Sequence, residues 1–309
     1  MLFEKYHFHG VFQDPAVLPV FKGSTFRGVF GVALKKVVCA LRQQECGTCL
    51  LRAQCLYARV FETLGDSGGG KPSPPHPFVI EPPATVQTHF QPGDAFDFVL
   101  LLFGWANEYL PYFVYAFEEM GQLGLGRRLG GQRPRFQLAA VAAGEKILYR
   151  QEDRLLLQHT PPVLEPPRLP SAPGPPGTLT VILETPLRLK YRNALRAELP
   201  FHVLIRAALR RLAALNEYFG AGEPPWDYRG LVARAQEVQI AAADLSWHDW
   251  RRYSNRQDQA MLMGGMVGQV TYTGPVGEFL PLLKYNEQVH VGKATTFGLG
   301  KLRLGQCSL

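Results

Sequence analysis

The residues near the carboxyl end of the chain combine glycines, hydroxyls and lysines in a pattern typical of anion binding. They are Gly292, Lys293, Thr295, Thr296, Gly298, Gly300 and Lys301. Glycine lets the backbone approach a ligand closely and turn several N–H groups towards one anion, and lysine adds charge at the rim. The segment therefore predicts a phosphate-binding loop entered by a β-like run. A tight hairpin with a solvated lysine at each end is the alternative.

The familiar nucleotide-binding loops do not fit this segment. A Walker-type loop has Gly-Lys followed by Ser or Thr between a strand and a long helix. Here Ala294 follows Gly292-Lys293, and nine residues remain after Gly300, which is too few for that helix. The dinucleotide fingerprint fails for the same reason.

Four of the five cysteines form a cluster, with the spacing C-x6-C-x2-C-x5-C. They are Cys39, Cys46, Cys49 and Cys55. In a reducing compartment such spacing favours a metal site over disulfides, and four thiolates would make that site structural because no position stays open for substrate. Zinc is the first expectation, an iron–sulfur cluster uses the same ligands, and unliganded thiols are the alternative.

Composition limits the class of protein. The chain has 309 residues, which favours two domains, and 46% of them are hydrophobic, which is enough for folded cores. The formal net charge of +7 favours an anionic partner such as nucleic acid. The apolar runs are too short to span a bilayer, and the first residues lack the regions of a signal peptide, so we expect a cytoplasmic protein without a membrane partner.

A proline-rich segment marks the domain boundary. Between positions 161 and 177, eight of the seventeen residues are proline, which neither continues a helix nor donates into a sheet. We therefore expect an N-terminal domain over 1–160, a linker over 161–177 and a C-terminal domain over 178–309.

The pattern of the first half predicts strands at 5–12, 96–103 and 135–141 and helices after the cap Ser24 or Thr25 and at 109–120. With one more strand in the stretch between these elements, the first half approaches the split βαβ order of a ferredoxin-like unit.

The second half repeats this order of elements. Its predicted strands are 179–183, 238–250, 264–272 and 288–291, and a turn is predicted at Thr185-Pro186. A helix runs over 200–218, with Arg206, Arg210 and Arg211 off its apolar stripe, and the second helix is either 229–237 or 279–285.

Several motifs, taken in their order along the chain, resemble a known family. They are Lys22-Gly23-Ser24-Thr25-Phe26-Arg27-Gly28, the cysteine cluster, Pro75 to Pro83, Gly124 to Arg127, Thr185 to Lys190, Arg210-Arg211, Arg252 to Gln257, Gly264-Gly265 and the terminal loop. Together they resemble a CRISPR repeat-processing endoribonuclease of the RAMP superfamily, in the group with a C-terminal glycine-rich loop.

This resemblance implies an α+β fold of two ferredoxin-like domains with RNA in the cleft between them, a C-terminal glycine-rich loop and a small metal-binding insertion that carries the four clustered cysteines. It also implies metal-independent cleavage of precursor CRISPR RNA, in which the ribose 2′-hydroxyl attacks its own phosphate. The products would be a 2′,3′-cyclic phosphate and a 5′-hydroxyl, and the partners would be the precursor, the mature guide RNA and other CRISPR effector subunits.

Such chemistry needs a base, an acid, a cation at the phosphate and basic walls for RNA. Beside the terminal loop, the basic candidates for RNA binding are Arg188, Lys190, Arg192, Arg252 and Arg256. Many members of the family keep a catalytic histidine on or near the first helix, where residues 26–41 contain none. The catalytic candidates are therefore Lys22 and Arg27, as in members without histidine, and His290 at the mouth of the loop.

Two other classes of protein remain open from the sequence. One is a non-cleaving RNA-binding subunit of a CRISPR effector complex on the same fold. The other is a zinc-stabilised DNA-binding protein.

Overall fold

The chain divides into two compact units, Met1–Leu164 and Glu165–Leu309. A computed structural model describes residues 1–42, 44–62, 74–170, 174–191, 194–254 and 259–308. No helix within these ranges is both long and apolar enough to cross a membrane.

The described part of unit 1 contains eight strands and two α-helices. In chain order they are β1 (Phe3–Phe12), β2 (Ala16–Val17), α1 (Gly23–Val38), β3 (Phe78–Glu81), β4 (His89–Phe90), β5 (Ala95–Phe103), α2 (Leu110–Leu123), β6 (Phe136–Ala143), β7 (Lys146–Arg150) and β8 (Leu155–Leu156). Six of the strands form one antiparallel sheet in the order β3-β5-β1-β6-β7-β8, and β2 pairs with β4.

The core of unit 1 is rich in phenylalanine. Phe26, Phe30 and other apolar residues of α1 recur every three or four positions and are buried, as expected for one helical face. The Phe30 ring stacks on Phe117 of α2 at 4.6 Å, and Phe8 of β1 stacks on Phe98 of β5 at 4.9 Å. Such pairs stabilise beyond the area that they bury, and they hold both helices on one face of the sheet.

Within the described residues of unit 2 there are four strands and three α-helices. In chain order they are β9 (Gly177–Leu187), α3 (Phe201–Phe219), α4 (Tyr228–Arg234), β10 (Gln239–Ser254), β11 (Gln259–Gly274), α5 (Leu280–Val289) and β12 (Leu302–Ser308). The strands form an antiparallel sheet in the order β10-β11-β9-β12.

The two units share one topology. In unit 1 the order β1–α1–β3–β5–α2–β6 is the βαββαβ order, and in unit 2 it is β9–α3–β10–β11–α5–β12. The sheet orders β3-β5-β1-β6 and β10-β11-β9-β12 place equivalent strands in equivalent positions. This is the ferredoxin-like arrangement, so the predicted α+β fold of tandem ferredoxin-like domains is confirmed.

Three local predictions were wrong. The first helix begins at Gly23 with Lys22 at the N-cap and no side-chain cap, so neither Ser24 nor Thr25 caps it. The predicted turn at Thr185-Pro186 lies inside β9, which continues to Leu187.

The third wrong prediction is the last strand. Residues 288–289 end α5 instead of forming a strand, and the edge strand comes after the glycine loop, where Leu302 pairs with Leu183. The pairing of β12 with β9 is a tertiary contact that the local sequence does not determine. Because β12 contains Gly305 and ends in polar residues, its own strand pattern is weak.

Candidate nucleic-acid interface

The glycine-rich loop is tied to the end of β9 by backbone hydrogen bonds. Helix α5 ends at Val289, and His290 reverses the chain with a φ of +62°. The Lys293 N–H then donates to the Arg188 carbonyl at 3.1 Å, and the Gly300 N–H donates to the Pro186 carbonyl at 3.1 Å. The loop is therefore part of the sheet's end and not a free flap.

The glycines of this loop are required by close backbone packing. A β-carbon at Gly300, where φ is +75°, would lie 1.8 Å from the Val291 carbonyl oxygen, and one at Gly292 would lie 2.9 Å from the Arg188 oxygen. Thr295 and Thr296 are 8% and 5% exposed. Five N–H groups of the loop donate to backbone carbonyls, at positions 291, 293, 297, 298 and 300. Those amides are therefore used in hydrogen bonds within the protein. Lys293 is the exposed basic residue of the loop.

A cavity of about 690 Å³ lies beside this loop within unit 2. We call it the basic cavity. Its walls come from the segment after β9, from α3 and from the loop, and they are formed by Leu189, Lys190, Tyr191, His202, Val203, Arg206, Ala207, Arg210, Arg211, Ala214, Gly292 and Lys293.

The charged side chains that the structure describes in the wall of the basic cavity are all positive. Arg206 and Arg210 are exposed and lie four residues apart on one face of α3, and Lys190 and Lys293 are exposed on the facing segments. Among the described residues that line the cavity there is no Asp or Glu. Converging cations without nearby carboxylates favour an anion with several charged groups, as an RNA backbone has.

Arg211 joins α3 to the start of the glycine loop. Its Nε and Nη2 donate to the Val289 carbonyl at 3.1 and 3.0 Å. Burial lowers the pKa of this guanidinium to about 10, which still leaves it charged at neutral pH. Burial raises the pKa of the neighbouring Tyr285 phenol to about 12, and the Arg211 charge opposes that rise. Arg211 therefore adds positive charge at the cavity wall while holding the end of α5.

An imidazole, that of His202, is among the described side chains that line the basic cavity. His202 is the second residue of α3, is half-buried, and has its ring 6.1 Å from the Tyr191 ring in an edge-on arrangement. A second cavity of about 320 Å³ shares Arg206 with the first and reaches Tyr228 and Arg229.

The structure brings the predicted RNA-binding residues Lys190, Gly292 and Lys293 together at the basic cavity, and most of the wall that faces them was not predicted from the sequence. The missed residues are Tyr191, His202, Arg206, Arg210 and Arg211. The i, i+4 spacing of Arg206 and Arg210 was a usable signal, since it puts both on one face of the helix.

The other predicted basic residues lie elsewhere or have other partners. Arg188 donates from Nη1 to the Gly264 carbonyl at 2.8 Å, which ties the end of β9 to β11. Lys301 does not line the basic cavity, and its Nζ lies 3.8 Å from the Glu184 carboxylate. Arg192 and Arg256 fall outside the described residues, as does the side chain of Arg252 on β10. Their predicted RNA contacts remain predictions.

The three predicted catalytic residues have structural partners. Lys22 is 1% exposed and donates from Nζ to the carbonyls of Val20 and Thr85 at 3.1 and 2.6 Å, and burial lowers its pKa. The Arg27 guanidinium lies 4.8 Å from the centre of the Phe61 ring. His290 is fully buried, with Nδ1 2.9 Å from the Leu299 carbonyl oxygen. Lys22 and Arg27 belong to unit 1 and His290 to unit 2.

The cysteine cluster gives no support to the predicted metal site. All four cysteines are half-buried free thiols, and Cys307 is an exposed one. Within the described part of the chain, no group of three or more His, Cys, Asp or Glu side chains is arranged to hold a metal ion. Cys39 leaves α1 in an extended conformation, and its N–H caps the Lys35 carbonyl. The choice between zinc and an iron–sulfur cluster stays untested.

Two family models together match most of the chain. Residues 1–161, more than half of the chain, match AF_1859_N, an N-terminal domain, and residues 181–302 match CRISPR-associated endoribonuclease Cas6. An uncharacterized protein of Archaeoglobus fulgidus is 25% identical over 297 residues, which cover 93% of this chain and 92% of that protein.

Solved structures share the fold at low sequence identity. A Cas6 product complex has a TM-score of 0.54 and 16% identity, covering 98% of this chain and 99% of that chain. Thermus thermophilus Cas6 has a TM-score of 0.53 and 13% identity, covering 98% of each chain. A partial Cas6-RT-Cas1–Cas2 complex has a TM-score of 0.56 and 16% identity, covering 100% of this chain and 46% of that chain. With an AF_1859_N domain followed by a Cas6 endoribonuclease domain, each on a ferredoxin-like fold, the chain belongs to the CRISPR-associated Cas6 family.

Proposed function

We propose that the chain binds CRISPR repeat RNA in the precursor transcript and cuts it without a metal ion, giving guide RNAs. The observation that carries this proposal is the basic cavity, which lies wholly within the residues matched by the endoribonuclease model. Its wall supplies four exposed cations from α3 and the segments facing it, namely Lys190, Arg206, Arg210 and Lys293, in addition to Arg211.

The cleavage step is a transesterification. The ribose 2′-oxygen forms a bond to the adjacent phosphorus, and the bond from phosphorus to the 5′-oxygen breaks. The 2′-hydroxyl proton passes to a base, and the departing 5′-oxygen takes up a proton from an acid or from water. The products are a 2′,3′-cyclic phosphate and a 5′-hydroxyl. Negative charge builds up on the phosphate oxygens in the transition state, and the guanidinium and ammonium groups of the cavity stabilise that charge.

A chemically modified RNA tests this proposal. The purified protein is incubated in EDTA with a labelled repeat RNA and, in parallel, with the same RNA carrying one 2′-deoxy nucleotide at the cut site. We expect cleavage of the first RNA and not the second, with a cyclic phosphate on the product. Cleavage that needs added divalent ions, or that proceeds on the 2′-deoxy RNA, would overturn the mechanism. Binding of both RNAs without cleavage would identify a non-cleaving subunit instead.

Association with other CRISPR proteins is a further part of the proposal. It is supported by the similarity to a chain of a partial Cas6-RT-Cas1–Cas2 complex, of which this chain spans 46%. Size-exclusion chromatography of the chain with proteins encoded beside the same repeat array tests it. Separate elution of every pair, with and without repeat RNA, would overturn it.

A further inference from the structure

A second cavity adjoins the basic cavity along α3. This cavity, of about 320 Å³, is called the α4 pocket here, and it is lined by Arg206, Tyr228, Arg229, Val232, Ala233 and Gln236. Arg206 belongs to the walls of both cavities. A chain-like ligand that leaves the basic cavity past Arg206 therefore meets the α4 pocket next.

Helix α4 is an addition to the ferredoxin-like order of unit 2, and it is anchored firmly. It lies between α3 and β10. Arg234 donates from Nε to both oxygens of the fully buried Glu278 carboxylate, at 3.1 and 3.0 Å. Leu231 is buried as well, and the Asp227 carboxylate caps the first turn by accepting from the Gly230 N–H at 2.9 Å. Because loss of either partner would leave the other charge unpaired, the Arg234–Glu278 pair holds α4 in one position.

The α4 pocket offers the contacts that one nucleotide needs. Arg206 and Arg229 are exposed, and no Asp or Glu is among the described residues that line the pocket, so its charge suits a phosphate. The half-buried Tyr228 ring, with Val232 beside it in the wall, is a surface on which a base can stack. The Gln236 amide both donates and accepts hydrogen bonds, as the edge of a base does.

The Tyr228 ring is fixed and uncharged. Its hydroxyl donates to the Pro224 carbonyl at 2.9 Å. Burial, and to a smaller extent the Glu223 carboxylate, raise the pKa of this phenol, so it stays protonated at neutral pH. Glu223 is not among the residues that line the pocket. A neutral ring that is already held in place stacks on any base, because every base has a π-face.

We propose that the α4 pocket binds one nucleotide of the repeat RNA, next to the stretch held in the basic cavity, with the base against Tyr228 and the phosphate between Arg206 and Arg229. This site rests on the proposed function only in taking repeat RNA as its ligand, and it needs no cleavage. The RNA is single-stranded there, since bases that stack on a side chain are splayed out of any helix.

Binding of the 2′-deoxy repeat tests the site. Tyr228→Leu should bind about 5- to 150-fold more weakly than the wild type, as loss of one stacked base does. Arg229→Gln should also bind more weakly, with the slope of log affinity against log salt reduced by about 0.7. The control is Arg303→Gln, which removes an exposed arginine of unit 2 that pairs with Glu184 and lines neither cavity. It should bind as the wild type does.

Shortening the RNA separates a nucleotide site from a general effect of charge. The 2′-deoxy repeat is shortened by single nucleotides from each end. Once the nucleotide of the α4 pocket is gone, Arg229→Gln and the wild type should bind equally, whereas Arg210→Gln should still bind more weakly because Arg210 lines the basic cavity. An abasic nucleotide at the position so identified should weaken binding by the wild type and not by Tyr228→Leu, since the two changes remove the same contact.

Arg229→Gln decides the outcome even if Tyr228→Leu folds poorly, because its side chain is exposed, and melting temperatures check this. Wild-type affinity of Arg229→Gln for every RNA, or a loss of the same size at every length that binds, would overturn the site and leave the proposed cleavage standing. A length-dependent loss in a protein that never cuts the unmodified repeat would support the site and overturn the cleavage. A wild type without affinity for repeat RNA would overturn both.

Discussion

The guanidinium of Arg211 on α3 donates two hydrogen bonds to the carbonyl oxygen of Val289, the last residue of α5. The last carbonyls of a helix have no partner within it, and a cation there also complements the helix dipole. Because the glycine loop begins at the next residue, this contact sets the position of the loop against the arginine-bearing face of α3. The two walls of the basic cavity are thus joined by one side chain.

Replacement of Arg211 should lower the stability of the fold, whereas replacement of the neighbouring Arg210 should lower the affinity for RNA. We expect Arg211→Ala to lower the free energy of unfolding by about 1–3 kcal/mol, because the Val289 carbonyl loses a charged donor in a half-buried position. Arg211→Lys should recover only part of this loss, since an ammonium does not donate through a planar fork. Urea denaturation measures both values.

The matched control is Arg210→Ala, which removes an exposed guanidinium from the same cavity. Its stability should stay within about 0.5 kcal/mol of wild type, as for most surface substitutions, while its affinity for repeat RNA falls. Equal stability of the Arg210 and Arg211 variants would contradict the capping role.

Lys190 and Lys293 should contact RNA phosphates, whereas Lys301 should not. We expect Lys190→Gln with Lys293→Gln to weaken binding of the 2′-deoxy repeat and to flatten the plot of log affinity against log salt, by about 0.7 for each lost contact to a single strand. Lys301→Gln is the control from the same loop, because its ammonium lies near Glu184 and outside the cavity wall. Binding is measured by filter retention at several salt concentrations. If Lys301→Gln matches the double variant, RNA takes a different path over the loop.

The topology was predictable because it depends on strong local signals, whereas the site depends on weak ones. The apolar spacing of Phe26, Val29, Phe30 and Leu34 indicates α1 without tertiary help, and the same holds for the buried face of α3. The late strand order was not predictable in the same way. Helix α5 extends to Val289, and β12 gains its identity only by pairing with β9.

The surroundings of the predicted site residues could not be read from the sequence for a related reason. Glycines, hydroxyls and lysines in one loop suggested an anion cradle, but many of the loop's amides and hydroxyls are directed into the fold. Sequence spacing does not reveal that Lys22 is buried against two carbonyls or that the His290 ring contacts the Leu299 carbonyl. It also does not reveal which face of α3 meets the loop, and that face carries most of the cavity's charge.

Lys22 should stabilise unit 1 without taking part in cleavage. We expect Lys22→Ala to lower the free energy of unfolding by about 1–3 kcal/mol, because the carbonyls of Val20 and Thr85 lose their donor. Cleavage per folded molecule, measured at a temperature well below the transition, should stay near wild type. The control is Lys36→Ala, whose exposed ammonium pairs with Glu119 at 2.5 Å and whose loss should cost about 0–1 kcal/mol. A large fall in the cleavage rate of a fully folded Lys22→Ala protein would restore this lysine as a catalytic candidate.

Gly300 should tolerate no side chain, whereas Gly28 should. At Gly300 the φ of +75° is costly for any other residue, and a β-carbon would lie 1.8 Å from the Val291 carbonyl oxygen. We expect Gly300→Ala to displace the loop from the end of β9, to lower the melting temperature, and to weaken RNA binding because Lys293 moves with the loop. Gly28→Ala in α1 is the control, since a β-carbon there meets nothing within 4 Å and alanine favours a helix by about 0.5–1 kcal/mol. Differential scanning fluorimetry with and without the 2′-deoxy repeat measures both effects. A Gly300→Ala protein with wild-type stability and affinity would show that the loop is not held as this backbone packing requires.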